Sequence, residues 1–396
     1  MIYAMVGFGT LLVFVLAGLL GPLLALPLRW FTPVLGGEIL GGVLAGPHVL
    51  GAIDPTQSTV SLLSEVGFAM LMLTAGMHLP LRDRRLGGSL RTGAVLALSV
   101  AALAVPAGLL ASHVAGGSHA ALYAVVLASG SSAVLLPSFR EAGVGGSVAL
   151  RVMAQTTIAD IFTIVSVPIV LQPSRVGDAV LGTFLVALTA AALVVVGRAI
   201  APGGFVHRAR ARSKQRRWAL DLRVALLVLF LLAWIAVESG TSILIAGFGA
   251  GVTIAILGGP KRLSTQVRGI ADGFFIPVYF VVLGARLDVG GLFASGSLLA
   301  LAATLTALNV AIRLLVAAVL RMPVGGALAA TAQLGVPAAV ASLGLADHVL
   351  SPVTATAIVI SALASLAIST VGVDLLVREA KQASVPARAP ESPRPA

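Results

Sequence analysis

The chain is 396 residues long, 58% hydrophobic and only 10% charged, with a mean hydropathy of +1.05. That much apolar surface exceeds what a soluble core needs and excludes a water-soluble globular protein, while the lack of cysteine excludes a disulfide framework, a thiol nucleophile and a Cys-based metal site. The formal net charge of +11 raises nucleic acid as a partner, but basic loops in a membrane chain are first a topology signal touching anionic lipid headgroups, so no nucleic-acid partner is expected.

A hydrocarbon layer roughly 30 Å thick is crossed by about 20 apolar residues in helix, and such runs recur from residue 4 to residue 377. They are unbroken and rich in Ala, Leu and Val, whereas barrel strands alternate polar with apolar residues, so the fold class is all-α membrane protein. Splitting the runs at charged and Gly/Pro punctuation gives about 13 spans. They fall near residues 4–28, 33–47, 60–78, 92–113, 119–138, 147–172, 178–197, 221–237, 240–258, 269–286, 292–318, 325–345 and 353–377. No basic residue precedes the first run and no small-residue cleavage site follows it, so it reads as retained.

With the N-terminus outside and the C-terminus cytoplasmic, all Lys and Arg but Arg175, Arg286 and Arg313 fall in cytoplasmic segments or at helix ends facing them. This is the pattern of a multi-pass protein of the cell's inner (plasma) membrane. Residues 1–379 form one membrane domain of two halves, about 1–198 and 221–377, joined by a basic cytoplasmic loop at 199–220 that holds Arg208, Arg210, Arg212, Lys214, Arg216 and Arg217. Residues 380–396 are Pro-rich and charged, which predicts a disordered cytoplasmic tail.

Ionisable groups inside a bilayer are costly, so the few that remain are functional candidates. Of the 15 acidic residues, only Glu38 and Asp160 sit well within a span, with Glu65 a turn from an end. Asp160 is mid-span in LRVMAQTTIADIFTIVSVPIV, and Thr156 and Thr157, at i−4 and i−3, share its helical face. A carboxylate beside hydroxyls suits a bare alkali cation, which takes hard oxygen ligands, and the same carboxylate can take a proton. The alternative is a structural acid paired with a buried Arg. Glu38 reads as structural, in a helix packed with Gly36, Gly37, Gly41 and Gly42. The histidines, among them His48, His78 and His348, fall mostly at loops and helix ends.

Two spans carry helix-weakening residues at mid-membrane. The fifth contains ASGSSAVLLPSF, with Ser129, Gly130, Ser131, Ser132 and Pro137; the twelfth contains AQLGVPAAV, with Gln333, Gly335 and Pro337. Broken helices at matching places in two halves are the signature of inverted-repeat transporters, whose exposed helix ends and free carbonyls bind ions.

Several of these segments together resemble one family. PVLGGEILGGVLAGPHVLG is similar to the second-helix signature of the monovalent cation:proton antiporters, in the Kef-like and bacterial Na+/H+ exchanger branch, with Glu38, Gly42, Gly46 and Pro47 at the motif's spacing. LSEVGFAMLMLTAGMHL resembles the next helix, through Glu65, Gly67 and Gly76. ASGSSAVLLPSFREAG resembles the family's unwound helix, with Ser131 and Ser132 at its Ser/Thr positions and Glu141 and Gly143 closing it. ESGTSILIAGFGAG and FFIPVYFVVLGARLD resemble later stretches, the second through Pro277, Phe280 and Gly284. The resemblance covers residues 1–377. It implies an inverted-repeat antiporter fold with two crossed, partly unwound helices, a core moving against a second domain, and usually a homodimer. It also implies an ion-binding carboxylate at the position of Asp160, with Ser131, Ser132, Thr156 and Thr157 around it and Na+ or K+ and H+ as substrates.

The chain departs from the family at one point. Electrogenic members have two adjacent acids at the site and others a polar residue before a single acid; here the pair is Ala159 and Asp160. One carboxylate exchanges one proton for one cation, so electroneutral exchange is expected. Arg286 stands where some relatives resemble each other in having a membrane-embedded Lys; it either holds Asp160 when no ion is bound or is an outer-end Arg beside Asp288 reaching water. Arg313 either stabilises the negative ends of broken helices or snorkels to the cytoplasm, and Gln333 supports the site. No catalytic cofactor is implied, and no Ser–His–Asp or His-Glu-x-x-His arrangement appears, so an enzyme is not expected. A transporter of another solute on the same fold, or a transport-inactive sensor, are the competing readings.

Overall fold

In a medium without water the backbone must satisfy its own hydrogen bonds, and the Ala-, Leu- and Val-rich runs do so as helix. The computed structural model describes residues 7–26, 32–78, 84–200, 204–216, 218–259 and 261–383. In chain order the helices are α1 (Phe8–Ala25), α2 (Thr32–Ala45), α3 (Ser58–Met77), α4 (Arg84–Val114), α5 (Ala120–Ala128), α6 (Ser132–Glu141) and α7 (Gly146–Leu171). A 3-10 turn at Pro173–Arg175 leads to α8 (Val176–Ile200), α9 (Gly204–Arg216), α10 (Leu220–Glu238), α11 (Ile243–Leu257) and α12 (Lys261–Ile270). A π-helical turn at Ala271–Phe275 then joins α12 to α13 (Ile276–Arg286), and α14 (Val289–Ala294), α15 (Gly296–Val319), α16 (Val324–Ala329), α17 (Gly335–Ala346) and α18 (Pro352–Ala383) complete the chain.

Among the described residues, ten helices are long and apolar enough to cross a membrane, counting α5 with α6 and α12 with α13 as one each. Three shorter apolar helices lie in α2, α11 and α17. The basic segment expected as a loop at 199–220 holds a helix, α9. Its charges stand on a regular backbone, with Arg210 paired to Asp221 at 3.0 Å and the Ser213 hydroxyl accepting from the Leu220 N–H at 3.1 Å. Lacking an apolar stripe, α9 gives none of the periodic signal by which a buried helix is read from sequence. Helix α18 runs to Ala383, past residue 380 where the tail was expected to start; residues 384–396 lie outside the described residues.

The helices sort into two bundles. One consists of α1, α2, α3, α8, α10, α11 and the α12–α13 helix; the other of α4 to α7 and α15 to α18. The bundles meet chiefly where α7 lies against α8 and α11, α17 against α3 and α13, and α18 against α2. Glycine sets the closeness of several seams, as expected where helices gain only packing by associating in lipid. At the α2–α13 seam, a Cβ on Gly42 would overlap the Val281 carbonyl, and one on Gly284 would overlap the Ile39 carbonyl. Gly36, on the same helix, has open space where its Cβ would stand. Gly42→Val is therefore expected to destabilise the fold by about 1–3 kcal/mol through overpacking, read as a lowered melting temperature in detergent, while Gly36→Ala leaves the melting temperature unchanged.

Candidate ion-binding site

The fifth span breaks where the sequence places Ser129, Gly130 and Ser131. Helix α5 stops at Ala128, the chain runs extended through Ser129 (ψ 159°) and Ser131 (φ −152°), and α6 starts at Ser132. Gly130 crosses directly over Thr156 of α7, where a side chain would press on Thr156 at 3.0 Å. The twelfth span breaks in the same way between α16 and α17, across residues 330–334.

Asp160 lies beside the first break. Its Oδ2 accepts from the Ser132 backbone N–H at 2.9 Å and from the Ser132 hydroxyl at 2.7 Å. The N–H is one of the unpaired donors of the first turn of α6, and a helix N-terminus favours negative charge. The carboxylate thus has one oxygen fixed by Ser132.

Of the residues expected around Asp160, only Ser132 bonds it. The Thr156 hydroxyl instead donates to the carbonyls of Val152 at 3.0 Å and Met153 at 3.2 Å in its own helix, the usual recourse of a helical threonine. Thr157 keeps a buried hydroxyl with no partner, a free oxygen on the same helical face as Asp160. Ser131 is buried at the cap position of α6, and its side chain does not cap the helix.

Behind the breaks stands Arg313 of α15, 3% exposed. Its Nε donates to the Ala330 carbonyl at 2.7 Å, Nη1 to the Leu127 carbonyl at 3.2 Å, and Nη2 to the Ser129 carbonyl. These are the carbonyl ends of α5 and α16, so the guanidinium joins the partial negative poles of both half-helices. Asn309, one turn earlier, accepts from Arg313 Nη1 and from Gln333 Nε2 at 3.0 Å, and donates to the Thr331 carbonyl at 3.1 Å and the Ser365 hydroxyl at 2.9 Å. Gln333 also reaches the Ser129 carbonyl, at 3.5 Å. Asn309 was missed in the sequence, although an Asn four residues before a buried Arg on an apolar helix was a visible sign.

Arg286 is not brought to Asp160. It ends α13 and donates to the Pro55 carbonyl at 3.2 Å and the Ser61 hydroxyl at 3.3 Å. With Glu65, Arg175 and Asp347 it lines a cavity of about 380 Å³ between the bundles, at the end where α3 begins and α7 finishes. Of the two readings of Arg286, its hydrogen bonds fit the one at the end of α13. Glu38 is likewise apart from the site, buried in the other bundle between α1 and α13.

The match to known proteins settles the family. The family model described as "Sodium/hydrogen exchanger, transmembrane" covers residues 11–379. The chain belongs to this family. Among relatives, a putative Na(+)/H(+) antiporter of Bacillus subtilis, YjbQ, is 25% identical over 308 residues, which is 73% of this chain and 49% of YjbQ. The match thus spans about half the length of that relative. The Na(+)/H(+)-K(+) antiporter GerN of Bacillus cereus is 27% identical over 280 residues, 67% of this chain and 68% of GerN. The solved structure of the sodium proton antiporter MjNhaP1 from Methanocaldococcus jannaschii aligns over 93% of this chain and 96% of its own, with a TM-score of 0.62 at 19% identity. The exchanger fold of the family is therefore the fold of this chain, with its two interrupted helices crossing beside Asp160.

Proposed function

We propose that this chain is a secondary active transporter that exchanges a monovalent cation, Na+ or K+, for H+, with Asp160 holding each in turn. The observation that carries this reading is the single carboxylate at the α5–α6 break, fixed by Ser132 through one oxygen and accompanied by the partnerless Thr157 hydroxyl. Family membership and the names of the relatives support it. The cation meets Asp160 and the Thr157 hydroxyl as hard oxygen ligands, and a proton competes for the same carboxylate. The bundle that carries Asp160 moves against the other, carrying the occupied site from one side to the other. About 13 apolar spans cross the inner membrane, N-terminus outside and C-terminus in the cytoplasm, and the protein works as a homodimer.

The test is proton efflux from acid-loaded proteoliposomes, read with a pH dye as Na+ or K+ is added. Cation-dependent alkalinisation is expected and ranks the ions; no response to any alkali cation would remove the exchanger reading in favour of another solute or a sensor. Because Ala159 leaves one acid where electrogenic members have two, exchange is expected to be one for one. Imposing a membrane potential with valinomycin and a K+ gradient, with Na+ as the exchanged ion, should leave the rate unchanged within about twofold, against the roughly 2.3 kcal/mol per charge that 100 mV would contribute to net charge movement.

A further inference from the structure

Behind the breaks, Arg313 keeps one donor in reserve, and a buried amide beside it has no partner at all. A guanidinium has five N–H groups. Arg313 gives its Nε hydrogen to the Ala330 carbonyl, the two on Nη1 to the Leu127 carbonyl and to Asn309, and one on Nη2 to the Ser129 carbonyl. The second N–H of Nη2 has no acceptor among the described residues. Gln155 of α7 is 6% exposed, and among the described residues its side-chain amide makes no hydrogen bond. A polar group left in this state inside a membrane bundle is costly unless something small satisfies it.

Both side chains line the same cavity. It lies inside the bundle that holds Asp160, among α4, α7, α15 and α16, which pack on one another. Leu96, Met322, Ala327 and Ala330 form much of the remaining wall. The facing positions on α16 are alanines, so no side chain reaches into the space opposite Gln155. Its volume of about 10 Å³ admits one water molecule and little else. Cavities that stay empty are apolar, whereas a buried water sits where about three otherwise unsatisfied polar groups converge. This cavity is of the second kind.

We propose that it is a binding site for one water molecule, which joins Gln155 to Arg313. The water accepts the spare N–H of Arg313 Nη2 and donates to Gln155 Oε1. Its second hydrogen goes to the Ala330 carbonyl, which takes the Arg313 Nε hydrogen on one lone pair and has the other free among the described residues. The guanidinium keeps an alkali cation out by charge. Through the water, the group that holds the carbonyl ends of α5 and α16 also holds α7, on which Gln155 stands five residues before Asp160.

The test does not depend on transport. Synchrotron radiolysis splits a bound water where it sits, and the hydroxyl radical oxidises the side chain against it, while a scavenger removes radicals formed in bulk water. Met322, in the cavity wall and 9% exposed, is the reporter, because a thioether is readily oxidised. Met70 and Met72, buried and outside the cavity wall, are the controls. In the purified full-length protein with scavenger present, Met322 should be oxidised while both controls are spared, and the Met322 signal should be lost in Gln155→Leu. The melting temperature of Gln155→Leu should fall, since the bridge is gone; in a dry cavity the same change would remove an unpaired amide and raise it. Met322 oxidation no greater than that of the controls, or equal in wild type and Gln155→Leu, overturns the proposal, as does a raised melting temperature. So does a Met322 signal that changes when chloride is replaced by gluconate, which would make the occupant an anion. If Gln155→Leu does not fold, Ala327→Val decides: its added methyl groups take the place of the water, and a Met322 signal that survives them overturns the site.

Discussion

Asp160→Asn is expected to abolish cation-dependent proton movement in proteoliposomes, by on the order of 10²–10⁴-fold, the range for removing a positioned proton-transfer group. The substitution keeps the shape of the side chain and an oxygen for the Ser132 N–H and hydroxyl, so the break between α5 and α6 has no reason to rearrange. What disappears is the ability to bind and release a proton and the charge that attracts a cation. The protein should therefore fold and melt as wild type does while failing to exchange. Retained exchange in Asp160→Asn would place the ion site elsewhere. Asp160→Glu is the useful companion: it keeps the chemistry but moves the carboxyl by one methylene from Ser132, and it should lower the rate while retaining some dependence on the cation.

The second large effect belongs to Arg313. Arg313→Met should lower stability by about 3 kcal/mol or more, since it strips the guanidinium from the Leu127 and Ala330 carbonyls and leaves the Ser129 carbonyl only the long bond from Gln333, and an unsatisfied buried acceptor costs about 1–3 kcal/mol. Arg313→Lys should recover only part of this, because an ammonium is a point charge where the guanidinium is a fork reaching two helix ends at once. Thermal melting in detergent measures both. Equal melting of Arg313→Met and wild type would mean that Asn309 and Gln333 can hold the half-helices alone.

Much of this arrangement could be read before any coordinates. The breaks were announced by Gly130 and its flanking serines and by the Gln333–Gly335–Pro337 stretch, because few residues survive at membrane depth unless they do something there. The prolines, however, lie inside the half-helices, Pro137 within α6 and Pro337 in the first turn of α17, so the interruptions fall beside them rather than at them. Asp160 was legible as the one acid in the middle of its span. Its ligands were less so: spacing puts Thr156 on the right face, but only the backbone decides that its hydroxyl turns back to Val152 and Met153. The place of Arg286 was ambiguous for a similar reason. A residue near a span end can point either way, and the fold tied it to Pro55 and Ser61, more than two hundred positions away in the chain.

Besides Asn309, the carbonyls that hold Arg313 are those of Leu127, Ser129 and Ala330, all of them main-chain atoms. Any substitution at these positions leaves the carbonyl in place, so side-chain mutagenesis does not test the bond to Arg313. What a substitution at Leu127 or Ser129 reports is the packing of side chains that are themselves buried, and not the charge-to-carbonyl bond behind them. Atom-level probes of the main chain, such as amide-to-ester exchange, would register what side-chain mutagenesis misses.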